Sequence, residues 1–295
     1  MLVKPSPVFS WSAMEEAALD NEFMQKPEED DAEIAKAYIS EWTALYNDIK
    51  SRGVKVVDFE SAENTPDAIF PNNWVSMHPE TTEMVIFPLK VENRRLERRK
   101  SIIEALQKAS GFNRLQDLTL WEKSGHFLES TGSFVLDRIN RKAFLCVSER
   151  SSEKVFEEFC GAQGFQPIVF HASDEGNSPY YHTNVIMAIG EGYAVVCMDA
   201  IKEKELLREA LGSLQLIEIS RDQVNSFCGN VIELKSAMDG QRYLYMSSTA
   251  RKAFSEKDLT KLEKVGGLKV VDVDIPTIQR VGGGGVRCMI AEVSF

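Results

Sequence analysis

Nothing in the 295-residue chain approaches the run of about 20 apolar residues that a membrane helix needs. Residues Met1 to Trp11 also lack the apolar stretch of a signal peptide, so a cytoplasmic, reduced setting is expected. Cysteine is scarce: five residues, at positions 146, 160, 197, 228 and 288, an odd number with no CxxC pair. That count argues against a disulfide framework and a structural zinc site. No Pro/Gly/Ser-rich segment divides the chain, so a single catalytic domain over residues 1–295 is expected. Basic charge is in deficit, 34 Lys and Arg against 45 Asp and Glu, for a net charge of −11. Phosphate backbones are polyanions, so a nucleic-acid partner is not expected. A small charged substrate is a different matter, because an arginine pair inside a pocket outweighs a distant, screened surface field. Oligomeric state is not legible.

What is present is an internal repeat. A first helix is expected where Ile34, Tyr38, Trp42, Leu45 and Ile49 share one face. Gly53 stops it, and Val54 to Phe59 reads as a strand. After it, one signature recurs: Phe70-Pro-Asn-Asn73, Leu128-Glu129-Ser-Thr-Gly-Ser133, Tyr181-His182-Thr-Asn184, Phe227-Cys-Gly-Asn230 and Gly282-Gly-Gly-Gly-Val-Arg287-Cys288. Each reads as a polar residue opening an apolar strand. The first four are followed by a second strand and a helix. The second, third and fourth close on a further strand, at Gln166–Phe170, Leu214–Ile219 and Leu268–Val273. The polar anchors Asn73, Glu129, Asn184, Asn230 and Cys288 are spaced 56, 55, 46 and 58 residues apart. Units of strand, strand, helix, strand repeated five times predict a closed ring, since closure covers sheet edges that an open array leaves bare. In a ring Asn73, Glu129, His182, Asn184 and Cys288 converge on one pocket at the axis.

Cys288 stands apart from the other cysteines. It follows four glycines and Arg287, whereas Cys146, Cys197 and Cys228 lie in or beside apolar strand runs and Cys160 ends a helix. Glycine lets a substrate approach the backbone closely, and a neighbouring arginine favours thiolate. His182 occupies the equivalent place in another repeat, so a thiol nucleophile with a histidine acid/base is the natural reading. Glu129 heads an apolar strand and, if inward, must be paired. It either orients His182, meets substrate N–H groups, or forms an ion pair with a buried arginine. His78 and His171 read as surface residues, and Trp11 to Phe23 is a candidate cover for the pocket.

Taken together, these motifs resemble the guanidino-group modifying superfamily, which includes arginine deiminases, dimethylarginine dimethylaminohydrolases and amidinotransferases. The similarity runs from about Asp67 to the C-terminus and is strongest to citrulline-utilisation hydrolases and arginine-deiminase-related proteins. It implies an α/β fold of the pentein type, a five-bladed pseudo-symmetric propeller of ββαβ repeats. It further implies a covalent mechanism in which Cys288 attacks the central carbon of a guanidino or ureido group. His182 protonates the leaving amine and then activates water, and Glu129 supports both. Arg94 and Arg150 would hold the carboxylate of an amino-acid substrate and Asp67 its amino group. No metal and no organic cofactor are implied.

Two positions depart from the arginine deiminases, which carry aspartates where this chain has Asn73 and Asn184. A guanidinium offers only N–H donors and positive charge, and each charge-assisted hydrogen bond it makes is worth roughly 1.5–3 kcal/mol. A ureido group is neutral and presents a carbonyl beside its N–H groups, which an amide matches with its own donor and acceptor. The expected activity is therefore hydrolysis of citrulline to ornithine, ammonia and carbon dioxide. Arginine deiminase or dimethylarginine hydrolase is the alternative, with an amidinotransferase or a non-catalytic binding protein behind it.

Overall fold

The first helix forms over Asp31–Ser51 and buries the expected stripe of Ile34, Tyr38, Trp42, Leu45 and Ile49. Asp30 caps it, its side chain accepting from Glu33 N at 2.8 Å, a contact worth about 1 kcal/mol in comparable helices. In this computed structural model, which describes residues 1–294, the strand after the helix is shorter than expected. Only Asp58–Glu60 (β2) is paired, in parallel with Leu2–Lys4 (β1). Residues 54–57 bridge to it without strand pairing.

Four three-stranded sheets follow. The first contains β3 (Val75–His78), β4 (Glu83–Ile86) and β5 (Arg114–Asp117). The second contains β6 (Phe134–Asp137), β7 (Lys142–Cys146) and β8 (Gln166–Phe170). The third contains β9 (Met187–Gly190), β10 (Tyr193–Val196) and β11 (Gln215–Glu218). The fourth contains β12 (Ile232–Lys235), β13 (Arg242–Ser247) and β14 (Lys269–Val273). In every sheet the first two strands are antiparallel and the third is parallel to the second. A helix makes each parallel crossover, at Lys100–Ser110, Glu153–Gln163, Lys204–Leu211 and Glu256–Lys264, as parallel pairing requires. The molecule is thus an α/β fold of several small sheets. β6 packs beside β9 and β9 beside β12, so the first strands of successive units are neighbours.

Three expectations are corrected. The polar anchors do not open strands. Asn73 and Asn184 lie in single 3-10 turns, Pro71–Asn73 and Thr183–Val185, and His182 caps the latter. Glu129 precedes a short helical turn, Ser130–Ser133. Strand pairing begins one or two residues after these turns, because a turn lets a polar side chain leave the sheet face before the pleat is established. The last copy also carries no strand: Cys288 sits in a turn after the helix Pro276–Gly282. Finally, His78 is buried, within 2.6 Å of Ser76 Oγ, since its strand is covered on both faces. His171 is exposed as expected. No helix among the described residues is long and apolar enough to cross a membrane.

Candidate active site

The turn Glu129–Ser133 is held by its own serines. Glu129 N donates to Ser133 Oγ at 2.7 Å, and that hydroxyl donates to Arg150 O at 2.6 Å. Ser130 carries a positive φ of 42° and its hydroxyl reaches Val75 O. This is a strained conformation for a residue with a side chain, of the kind that clusters at functional sites. The geometry aims Glu129 inward, where it is fully buried. His182 Nε2 lies 2.8 Å from Glu129 Oε2. A carboxylate only accepts, so Nε2 carries the proton and Nδ1 remains to exchange one. Lys90 N donates to Glu129 Oε1 at 3.1 Å, and Arg150 Nη1 stands 3.6 Å from Oε2. Of the roles open to Glu129, orienting the histidine and pairing with a buried arginine are both realised.

Burial by itself raises a carboxyl's pKa and lowers a histidine's. At Glu129 burial pushes upward, but Arg150, the His182 bond and Arg94 together outweigh it and hold the carboxyl well below the usual range. At His182 burial wins over the pull of Glu129, and the pKa is lowered. Asp67, fully buried, is raised by burial against the opposing pull of Arg94 and Arg150.

Cys288 is buried with its sulfur among amides. Asn230 Nδ2 lies 3.2 Å from Sγ and Asn184 Nδ2 3.7 Å. Burial raises the thiol's pKa, and the Asn230 hydrogen bond is the largest effect opposing it. Arg287 acts only at a distance, contrary to the expectation from its adjacency. Its guanidinium donates to Ile290 O at 2.9 Å and Glu292 Oε2 at 3.0 Å. Burial thus disfavours the charged form of both the Cys288 thiol and the His182 imidazole.

The two arginines are both engaged. Arg94 donates to Glu97 from Nε at 2.8 Å, to Phe70 O from Nη2 at 3.1 Å and to Asn73 Oδ1 from Nη1 at 3.1 Å. Arg150 meets Asp20, its Nε 3.0 Å from Oδ1, and donates to Ala17 O at 2.8 Å. Lys90 completes the clasp on Asp20 Oδ2. Asp20 belongs to the N-terminal segment, and Ala17, Asn21 and Met24 of the same segment line the cavity beside Asp67, Asn73, Arg94, Arg150, His182 and Cys288. Six of the eight residues singled out from the sequence line this cavity, and the other two, Glu129 and Asn184, contact its His182 and Cys288. The space left is about 20 Å³, room for roughly one water, so the site is narrow.

Sequence reasoning missed Asp20, Glu97, Gly132, Tyr181 and the contact of Asn230. Tyr181 donates to Gly283 O at 3.0 Å and lies under the Arg150 guanidinium. Glu97 carried a signal, three residues after Arg94 on one helical face. Asp20 carried none. No group of three or more metal-ligating side chains occurs among the described residues.

A buried cysteine, a histidine fixed by a carboxylate and a cavity lined by polar side chains fit the class of hydrolases that work with a cysteine thiol. The sequence matches the family described as N,N dimethylarginine dimethylhydrolase, eukaryotic, over residues 9–295. The chain belongs to this family, within the arginine-modifying penteins, and is a hydrolase acting on C–N bonds. A search of curated protein sequences finds no match. Among solved structures, the substrate-bound N-terminal domain of ArgZ, an arginine dihydrolase from the ornithine-ammonia cycle in cyanobacteria, is 16% identical with a TM-score of 0.75, covering 99% of this chain and 97% of that one. AgrE bound to L-arginine is 15% identical with a TM-score of 0.75, covering 98% of this chain and 39% of its own. A dimethylarginine dimethylaminohydrolase is 16% identical with a TM-score of 0.67, covering 98% and 96%. The chain spans 40% of full-length ArgZ. At these identities the likeness is one of fold.

Proposed function

We propose that this chain hydrolyses the ureido group of an amino acid, most simply citrulline, through a Cys288 intermediate. We also propose that its sheets form one five-bladed ring, a single domain over residues 1–295 whose axis is the active site. Neighbouring first strands and polar turns that meet at one cavity support the ring. Five free, buried thiols fit a reduced, cytoplasmic setting.

The single observation that carries the substrate reading is Asn184. Its Oδ1 is buried, without a partner among the described residues, while its Nδ2 faces Cys288 Sγ. An unpaired buried acceptor beside the nucleophile can take a substrate N–H, and because it belongs to an amide and not a carboxylate it brings no negative charge, which suits a neutral ureido group. Asn73 carries less of the argument, because its amide is already engaged by Arg94 and, through Nδ2, by Glu129 O at 3.5 Å.

In the reaction, His182 Nδ1 takes the proton of the Cys288 thiol, and the thiolate so formed makes a bond to the ureido carbon. The C–N bond to the terminal nitrogen breaks, and His182 delivers the proton that lets ammonia leave. Water then gives a proton to His182 and adds to the carbon, the C–S bond breaks, and its electron pair returns to sulfur. The carbamic acid released loses carbon dioxide to leave ornithine. Arg94 and Arg150 hold the substrate carboxylate and Asp67 its amino group. Arg150 must exchange Asp20 for substrate, which requires the N-terminal segment to lift.

A second reading, an arginine-type guanidino substrate, draws on the carboxylates of Glu129 and Asp67 and on the names of the structural neighbours. A product assay with citrulline, arginine, agmatine and dimethylarginine, analysed by mass spectrometry with Cys288→Ala as control, separates the two. Ornithine and ammonia from citrulline, absent in the variant, is the expected outcome. Citrulline accumulating from arginine or dimethylarginine overturns the ureido reading. Ornithine from both arginine and citrulline makes the enzyme a dihydrolase.

A further inference from the structure

We propose that Asn230 is a positioning residue of this reaction, its side-chain amide holding Cys288 Sγ by an N–H donor both as the sulfur attacks and as it departs. The proposal rests on the hydrolase reading with Cys288 as nucleophile. Nothing in the family resemblance gives Asn230 a role, although it is the fourth of the five repeat anchors.

Its placement is tightly determined. Phe227 takes a left-handed φ of 63°, and a Cβ at Gly229 would lie 2.2 Å from Val185 O. The segment is thereby pressed against the backbone of the preceding unit. Asn230 N donates to Phe227 O at 3.0 Å, and the side chain is buried. Its amide orientation is unambiguous. Nδ2 faces Asn184 O at 3.0 Å, an acceptor that the amide oxygen could not pair with, and Cys288 Sγ at 3.2 Å. Oδ1 consequently points away and has no partner among the described residues. A Cβ at Gly285 would approach that oxygen to 2.6 Å, so glycine there makes the orientation possible.

A buried acceptor left unpaired is costly, and the arrangement maintains it in order to turn the N–H toward sulfur. No other donor is as well placed: Asn184 Nδ2 is half an ångström farther, and Arg287 is engaged elsewhere. The sulfur carries negative charge immediately before the S–C bond forms and again when that bond breaks and its electron pair returns. A hydrogen bond to an ionised acceptor is about twice as strong as a neutral one. The Asn230 contact therefore strengthens at both moments and belongs to differential rather than uniform binding.

The test measures the pH dependence of Cys288 alkylation by iodoacetamide, read by mass spectrometry, together with kcat and KM. The proteins are wild type, Asn230→Ala, Asn230→Asp and Gly285→Ala. Removing one hydrogen bond to a charged group predicts a fall in kcat of about ten- to a hundredfold with KM little changed. The alkylation midpoint should move to higher pH, furthest in Asn230→Asp, where a carboxylate faces the sulfur. Gly285→Ala leaves Asn230 itself intact but pushes its amide, and should shift the midpoint the same way even if the Asn230 variants fail to fold. A midpoint unmoved in the folded variants, with turnover still dependent on Cys288, overturns the proposal alone. Turnover retained in Cys288→Ala overturns the hydrolase reading on which it rests.

Discussion

Gly132 shows how tightly the site is packed at the level of single atoms. A Cβ there would fall 2.2 Å from Asn73 Nδ2 and 2.8 Å from His182 Cε1, both on buried side chains. Overpacking of this kind costs typically about 1–3 kcal/mol, and relief requires His182 to tilt from Glu129. Gly132→Ala is therefore expected to lower Tm by a few degrees and kcat by at least tenfold. A thermal melt and steady-state kinetics check it. Normal turnover in this variant would mean that the His182–Glu129 alignment does not limit the reaction. The glycine was visible in the sequence only as part of a quoted motif. Its physical necessity became evident once two side chains from other units were placed against it.

Among the elements, the N-terminal segment behaves least like the rest. It carries no repeat signal, yet it places Asp20 on Arg150 and Lys90 and lines one side of the cavity. When only an open fraction of molecules can bind, the apparent Kd is the intrinsic value divided by that fraction. Weakening the clasp should raise the open fraction. Asp20→Asn is expected to lower KM several-fold and to speed alkylation of Cys288 at fixed pH, leaving kcat close to wild type. A KM that rises would instead make Asp20 part of the wall that touches bound substrate. Element existence was largely legible from periodicity: the helix Asp31–Ser51 and the strand Gln166–Phe170 fall where the apolar spacing places them. The polar turns before each first strand were not legible as turns, because residues such as Asn and Thr suit a turn and a strand entrance alike.

For the whole molecule, buried charge sets the response to acid. The folded pKa of Glu129 lies below its unfolded value, so its contribution is present above roughly pH 4.3 and is lost as pH falls. His182, also lowered, acts in the same direction from about pH 6.5 downward, because the unfolded chain takes its proton first. Asp67 has the opposite sign: raised by burial, it favours the folded state as acid is added. The difference between wild type and Glu129→Gln isolates the first effect. Tm of the wild type should fall more steeply below pH 5 than that of Glu129→Gln, as followed by circular dichroism. Parallel curves would place the Glu129 carboxyl at an ordinary pKa.

The sequence by itself determined the α/β repeat and the five anchors, and it singled out Cys288 and His182 as the candidate nucleophile and acid/base. These are local properties: apolar periodicity and residue types recurring at near-constant spacing survive without knowledge of the fold. Only the tertiary structure decided which donors meet the sulfur, that Arg287 turns away from it, and that Asp20 lies on Arg150. Asn230 and Cys288 are 58 residues apart, and Asp20 and Arg150 are 130 apart. Each is a pairing made across separate units, set by the packing of one turn on another rather than by the preferences of either residue.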